Sequence, residues 1–238
     1  MLRRDFLKGS AAVAAALVAS GVRGASRAGT GGAGSAALSG RLVPPERGRI
    51  PVAFTISPGV TVIDFCGPWE VFQDVSLVGD EQPFELYTVA ETLAPLRGSA
   101  GLQLVPDYTF ATAPAPRVIV IPAQTGGPAL HEWLRKASRT ADMTMSVCTG
   151  AFQLAKAGLL SGLDATTHHD FQDRLAKQFP DVRVRKGVRF VEGPKISSAG
   201  GLTSGIDLAL RVVERYYGRP VAERTAFYME YQSKGWIV

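Results

Sequence analysis

The stretch MTMSVCTGAFQLAKAGLL, Met143 to Leu160, places a lone cysteine where a strand-like run meets a helix-like one. Met143 to Val147 has the length and apolar character of a buried strand. Gly150 to Ala157 is typical of a short helix, which Gly158 would end. Cys148 occupies the turn between them. It is therefore either a buried structural cysteine or a nucleophile held at the tip of a strained turn.

The same alternation of short apolar runs and longer amphipathic segments continues from Ile50 to Val238. It predicts an α/β fold with a doubly wound, mainly parallel sheet and helices on both faces. Ligands of such folds bind at the carboxyl ends of the strands. The residues that this rule selects follow the predicted strands: Asp64, Cys66, Pro122 to Gly126, Cys148 to Gly150, His168, His169 and Ser198 to Gly201.

Three local expectations bear on the surroundings of this edge. A turn at Cys66-Gly67 is predicted to precede a helix from Pro68 to Asp74. Val182 to Val191 alternates basic and apolar residues, which predicts a pair of strands that turn near Gly187. His131 lies on a predicted helix, and we expect it to face solvent.

The first 49 residues differ in composition from the rest. Arg3-Arg4 is followed by F-L-K and by an apolar stretch, Ala11 to Val22, that is shorter than the about 20 residues needed to span a bilayer. This order is typical of an export signal, and R-R-x-F-L-K resembles the twin-arginine signal. We predict an export signal at 1–28, a flexible linker at 29–49 and an α/β domain at 50–238, delivered to the periplasm with no other membrane association. A disordered basic tail is the alternative for the N-terminus.

The net charge of +5 is concentrated in this N-terminal segment. Residues 1–49 contain eight Lys or Arg and two acidic residues, so the remaining 189 residues have a net charge of −1. A nearly neutral domain argues against nucleic acid as a partner.

The chain has two cysteines and three histidines, and their spacing matches no zinc motif. We expect neither a metal nor a cofactor. An exported protein meets an oxidising compartment, which leaves a Cys66–Cys148 disulfide open. We expect free thiols, because residue 66 should point away from the pocket. At the N-terminus of a helix, the Cys148 thiol is expected to have a lowered pKa.

Three segments resemble the ThiJ/PfpI superfamily, whose fold is flavodoxin-like and related to class I glutamine amidotransferases. They are VIDFCGPWEVF (62–72), VCTGAFQLAKAGLLSGLDATTHHD (147–170) and SSAGGLTSGIDLALRVVE (197–214). The D-x-x-G-P-x-E-V-F element, with A-T-T-H, points to the branch of the isonitrile hydratases and the amidase-like sensor domains of AraC-type regulators. The resemblance implies a small-molecule substrate and a homodimer. The AraC-type relatives carry an additional DNA-binding domain, which we do not expect here.

The resemblance also implies roles for single residues. Cys148 matches the nucleophile, Asp64 the acidic residue that faces it, Thr149 the threonine that follows the cysteine, and His168 a histidine near the thiol. Attack of the thiol on an isonitrile would give a thioimidate, which water activated by Asp64 would convert to an N-substituted formamide. The alternatives are a helix-capping Asp64, a Thr149 that only shapes the turn, and a structural His168.

One departure from the superfamily concerns the oxyanion hole. A Pro-Gly-Gly turn is usual there, and this chain has Pro122-Ala123-Gln124. A positive φ in that turn would strain Ala123 or Gln124; alternatively, Gln124 places its amide in the pocket. We take Ala123, Gln124, Gly150 and His168 as the predicted substrate-binding residues. The leading hypothesis is a cysteine-dependent enzyme for a small electrophile, best an isonitrile; the alternative is a non-catalytic ligand-binding or redox-sensing domain.

Overall fold

The structure, a computed structural model, describes residues 40–77 and 81–238. The strands are β1 Ile50–Thr55, β2 Phe84–Ala90, β3 Leu96–Arg97, β4 Gln103–Leu104, β5 Tyr108–Thr109, β6 Val118–Ile121, β7 Met143–Ser146, β8 Asp164–Ala165, β9 Arg183–Val184, β10 Phe190–Val191 and β11 Ile196–Ala199. The helices are α1 Val62–Gln73, α2 Pro128–Ala137, α3 Gly150–Lys156, α4 Gln172–Gln178, α5 Ser204–Tyr217 and α6 Arg219–Tyr228.

Seven strands form one sheet in the order β5-β2-β1-β6-β7-β11-β10. Every neighbouring pair is parallel except β10 and β11. Two small sheets lie outside it, β3 with β4 and β8 with β9. The predicted mainly parallel sheet is confirmed, and β1, β6, β7 and β11 end at one common edge.

The central strand β6 shows why helices cover both faces. Val118 and Val120 belong to the buried cluster that α1, α5 and α6 complete. Ile119 and Ile121 point the other way, into the cluster that α2, α3 and α4 complete. Because successive side chains of a strand alternate between faces, an uninterrupted apolar run needs a helical layer on each side. The predicted doubly wound arrangement is confirmed.

The predicted strand pair at 182–191 is wrong. β9 pairs with β8, and β10 pairs with β11, so the two strands belong to different sheets. Gly187, with φ 71°, turns the chain between them. The alternating basic residues pair across the small sheet, where Arg183 and Arg185 both bind Asp164.

The predicted turn at Cys66-Gly67 is also wrong, because both residues lie inside α1. A Cβ atom on Gly67 would approach Cγ1 of Ile206 in α5 to 2.9 Å. Gly67 therefore permits close packing of two helices, and Pro68 is accommodated within α1. The consequence for the site is that Asp64 lies in the first turn of a helix.

The domain begins before Ile50. Arg215 donates from Nε to the Gly40 carbonyl (3.0 Å), and the Leu42 N–H donates to the Arg215 carbonyl (2.9 Å). Arg117 donates to the carbonyl of Val43 (2.9 Å). The linker prediction is therefore wrong for residues 40–43, which are bound to the domain. The predicted export signal at 1–28 and the linker at 29–39 lie outside the described residues. Within the described ranges, no helix has the length and apolar character to cross a membrane.

Candidate active site

The turn between β7 and α3 holds Cys148 in the left-handed region, with φ 56°. This conformation is unfavourable for a residue with a side chain and persists only where neighbours fix it. Here the Cys148 N–H donates to the Gly200 carbonyl (2.7 Å), and Thr167 Oγ1 donates to the Cys148 carbonyl (2.8 Å). Only 7% of Cys148 is exposed. The cysteine is thus both buried and held at the tip of a strained turn.

Gly150 is required by the close approach of α3 to β6. A Cβ atom at this position would lie 2.1 Å from the carbonyl oxygen of Ile121. The Gly150 N–H donates to the carbonyl of Val147 (3.0 Å), so it is not free for a substrate. Gly150 thus has a steric role, because it allows the elbow to approach the sheet closely; its predicted role in substrate binding stays a prediction.

Asp64 is fully buried beside the thiol. Its Oδ2 accepts from the N–H of Ala123 (3.1 Å), while Oδ1 lacks a partner of regular geometry among the described residues. Burial raises the pKa of Asp64 to about 6, and the Ala123 N–H, the Cys148 thiol and the Leu202 N–H partly oppose this. Because the carboxylate binds another loop rather than its own helix, the capping alternative is not supported.

The thiol does not have the lowered pKa that the sequence predicts. Burial and the negative charge of Asp64 raise the pKa of Cys148 to about 11. The N–H groups of Thr149 and Leu202 act in the opposite direction and lower it in part. The expectation was wrong because desolvation and a neighbouring carboxylate outweigh the start of a seven-residue helix. Cys148 and Asp64 therefore share one proton over the neutral range, and the resting pair is a thiol beside a carboxylate.

The turn that replaces Pro-Gly-Gly is not strained. Neither Ala123 nor Gln124 has a positive φ, and the left-handed residue of this loop is Gly126, with φ 67°. The Ala123 N–H donates to Asp64 in this arrangement, and its predicted role in an oxyanion hole stays a prediction. The hydrogen bond from Ala123 positions the carboxylate.

Gln124 fixes this loop to the sheet. Its Nε2 donates to Oγ1 (2.7 Å) and to the carbonyl (3.1 Å) of Thr55 at the end of β1. Its Oε1 is buried without a hydrogen-bond partner among the described residues. The amide nitrogen is thus used by the fold, and the oxygen is a buried acceptor without a partner; a contact of Gln124 with a substrate stays a prediction.

Gln153 supports the same loop from α3, although the sequence pattern did not single it out. Its Nε2 donates to the carbonyls of Gln124 (3.0 Å) and Thr125 (3.2 Å), and its Oε1 lies 2.8 Å from Nε2 of His131. The expectation that His131 faces solvent was wrong, because this contact partly buries it. The available signal was a glutamine three residues into a largely apolar helix.

Leu202 is a second missed residue. It has φ 49°, and its N–H lowers the pKa of both Asp64 and Cys148. An N–H donor fixed between these groups can stabilise negative charge that develops there. The residues selected because they follow predicted strands ended at Gly201, so Leu202 was not among them. The G-G-L sequence before a helix nevertheless indicated an unusual backbone conformation.

His168 lies beside this segment. A Cβ atom on Gly201 would meet His168 Cδ2 at 2.4 Å. The ring stacks on His169 (4.3 Å between centroids) and contacts the edge of Phe171. Its Nδ1 accepts from the Asp170 N–H (3.3 Å). These contacts favour the structural interpretation of His168. In the described part of the chain, the ligand atoms of His168, His169 and Asp170 lie within 4.8 Å of one another, two of the three on exposed residues.

A pocket of about 320 Å³ opens next to the elbow, between α3 and α4. Thr149 is the elbow residue that lines it, which places the pocket next to Cys148 along the chain. Its walls are formed by Gln124, Thr125, Thr149, Phe152, Gln153, Lys156, Phe171, Arg174 and Gln178.

A model of the DJ-1/PfpI family matches residues 51–215. The chain belongs to the DJ-1/PfpI family. The match runs from β1 through most of α5, so this DJ-1/PfpI domain includes Asp64, Cys148 and Leu202. The resemblance to ThiJ/PfpI proteins and the flavodoxin-like fold are thereby confirmed.

Relatives of this DJ-1/PfpI domain include enzymes and regulators. The isonitrile hydratase of Pseudomonas putida is 32% identical over 186 residues, which cover 76% of this chain and 78% of that protein. The HTH-type transcriptional regulator CdhR of Pseudomonas aeruginosa is 29% identical over 177 residues, and the match spans about half of its length (51%). The crystal structure of a ThiJ/PfpI family protein from Pseudomonas syringae superposes with a TM-score of 0.68 and 29% identity, over 79% of this chain and 77% of that one.

A second family model matches the N-terminus. It describes signal sequences of the twin-arginine translocation pathway and covers residues 3–20. The match supports export across a membrane, as R-R-x-F-L-K predicts.

Proposed function

We propose that this protein is an exported isonitrile hydratase-like enzyme that acts in the periplasm as a homodimer. The observation that carries the proposal is the buried pair of Cys148 and Asp64 at a strained elbow. The relationship to an isonitrile hydratase over three quarters of both chains supports the choice of reaction. The steric and electrostatic features of the pair then suggest how the reaction proceeds.

In the first step, the Cys148 sulfur bonds to the terminal carbon of the isonitrile. The thiol proton passes to Asp64 and from there to the same carbon, which gives a thioimidate, R–N=CH–S–Cys. The raised pKa of Asp64, about 6, suits a group that accepts and returns a proton near neutral pH. The high pKa of the free thiol means that this transfer accompanies attack instead of preceding it.

In the second step, the oxygen of a water adds to the thioimidate carbon, while Asp64 takes one proton from that water and passes it to the nitrogen. The tetrahedral species R–NH–CH(OH)–S–Cys then breaks its C–S bond and releases R–NH–CHO. The N–H groups of Thr149 and Leu202 lie by the sulfur and stabilise it as the leaving group. Asp64 transfers the hydroxyl proton of the tetrahedral species to the departing sulfur, so that the thiol is restored and the net reaction is addition of one water.

The narrow access to the thiol favours an isonitrile over a bulkier electrophile. Cys148 is 7% exposed, and an isonitrile ends in a linear group one atom wide at its reactive carbon. An amide presents a planar carbon with three substituents, which needs a wider approach.

A substrate panel tests the proposal. The purified protein is incubated with isonitriles, α-oxoaldehydes and amides, and formamide formation is followed by NMR, with Cys148→Ser as the control. We expect turnover of isonitriles by the wild type alone. Turnover of another class, or equal rates with the variant, would refute isonitrile hydration.

A ligand-binding domain without turnover is the second candidate, and the regulators among the relatives favour it. It predicts saturable binding of a small molecule that Cys148→Ser leaves unchanged, with no product from any panel member. A redox sensor is less well supported, because a buried thiol with a raised pKa oxidises slowly.

A further inference from the structure

The pocket beside the elbow is a groove between two helices, here called the α3–α4 groove. From the elbow and α3 it receives Thr149, Phe152, Gln153 and Lys156, and from the α4 side Phe171, Arg174 and Gln178. Residues three or four positions apart share one face of a helix, so each helix presents a single face to the groove. Gln124 and Thr125 complete the lining.

Among the residues that the structure describes, two cations and no acidic residue line this groove. Among the described residues, neither Lys156 nor Arg174 forms an ion pair. The neighbouring acid on α4, Asp173, is paired with Lys186 instead, and Asp164 is paired with two arginines. The groove therefore has a net positive charge that the described part of the domain leaves unneutralised.

The same groove offers apolar surface. Phe152 is 7% exposed, and Phe171 is partly buried. The Arg174 guanidinium lies over the Phe152 ring, 5.7 Å from its centroid. Stacking in this way orients the planar cation and leaves its N–H edges available to an anion. The partly exposed Phe171 ring with two cations near it suits a ligand that has a ring at one end and a carboxylate at the other.

We propose that the α3–α4 groove binds the substituent of the substrate and selects an isonitrile whose ring carries a carboxylate. This inference rests on the proposed hydration and names its substrate class. The ring lies against Phe171, and the carboxylate lies between Lys156 and Arg174. Thr149 lines the groove and directly follows Cys148, so this binding mode requires the isonitrile carbon to pass Thr149 to reach the thiol.

The first experiment compares 4-isocyanobenzoate with phenyl isocyanide at low salt. We expect the wild type to favour the carboxylate by about tenfold in kcat/KM, since each exposed ion pair contributes modestly, and added salt should reduce the preference. Lys156→Gln/Arg174→Gln should bring the ratio to about one. The matched control, Arg135→Gln/Lys177→Gln, removes the same charge from exposed residues outside the groove and should keep the ratio.

The second experiment measures binding without turnover. Cys148→Ser is titrated with the product analogues 4-formamidobenzoate and formanilide, with and without the two groove substitutions. Tighter binding of the carboxylate that depends on Lys156 and Arg174 supports the groove even if neither isonitrile is hydrated, a result that would refute the proposed function alone. Hydration of both isonitriles with equal kcat/KM, together with equal Kd values for the two analogues, would overturn the groove proposal alone.

Discussion

Cys66 and Cys148 are the same side chain in two different settings. Each has a carboxylate neighbour that raises its pKa, Glu70 for Cys66 and Asp64 for Cys148, in both cases together with burial. Cys66 lies inside α1, is half-buried and has an exposed partner. Cys148 sits at a left-handed turn with a fully buried partner. Shared chemistry therefore does not distinguish the two thiols; the backbone conformation and the burial of the partner do.

The sheet keeps the two thiols apart. Both cysteines are free, and β6 lies between β1 and β7. With one intervening strand, the turns that follow β1 and β7 are separated by about 10 Å, beyond the reach of a disulfide. Each cysteine can therefore be altered without changing a bond to the other.

The largest expected contrast comes from removing each thiol. Cys148→Ser should lower kcat for isonitrile hydration by about 10⁴-fold or more, because serine is a far weaker nucleophile without a matched base. Cys66→Ser should remain within about twofold of the wild type. Circular dichroism checks that both variants fold. Comparable loss in the two variants would mean that the elbow is not the reactive site.

Replacing the carboxylate beside each cysteine with an amide extends the comparison to Asp64 and Glu70. Asp64→Asn should lower kcat by about 10²–10⁴-fold, because no group remains to move the thiol proton. Glu70→Gln, on the same helix beside the other cysteine, is the matched control and should leave kcat unchanged. A change in Asp64→Asn that is confined to KM would assign this residue to binding.

The rate of alkylation reports whether the Cys148 sulfur is protonated. In Cys66→Ser, which leaves Cys148 as the one thiol, iodoacetamide should react at pH 7.5 about 10²-fold more slowly than with a free cysteine, whose pKa is about 8.5. The raised pKa of Cys148, about 11, is the reason. Asp64→Asn in this background should accelerate alkylation at high pH. A midpoint of the rate below 8.5 would contradict the raised pKa of the Cys148 thiol.

The smallest effect is the pH dependence of turnover. Burial raises the pKa of Asp64 to about 6, so the carboxylate that must accept a proton is lost as pH falls through this value. We expect kcat/KM to decrease about tenfold per pH unit below about pH 6. The profile is measured with a neutral isonitrile, and Asp64→Asn should lack this acidic limb. An unchanged limb in the variant would assign the ionisation to another group.

Much of this site was predictable because its anchors are local. Cys148 follows a strand and precedes a helix, and that order alone indicates an elbow at the carboxyl edge of a sheet. Asp64 was reached by the same rule, together with the D-x-x-G-P motif. Leu202 and Gln153 were not predicted. Leu202 contributes a backbone N–H and Gln153 a supporting amide, and the importance of both depends on where the fold places them, which the residue type does not reveal.

The sequence by itself determined the α/β alternation, the doubly wound sheet and the lone cysteine between a strand and a helix, because hydrophobic period and turn residues are properties of neighbouring positions. Tertiary structure decided the rest. In the folded chain, the Ala123 N–H donates to Asp64 and the Leu202 N–H lies by the thiol. The pKa of Cys148 is raised, although its position at the start of a helix predicted a lower value. The physical reason is that desolvation and charge pairing depend on atoms far apart in the chain, brought together where four strands end at one edge.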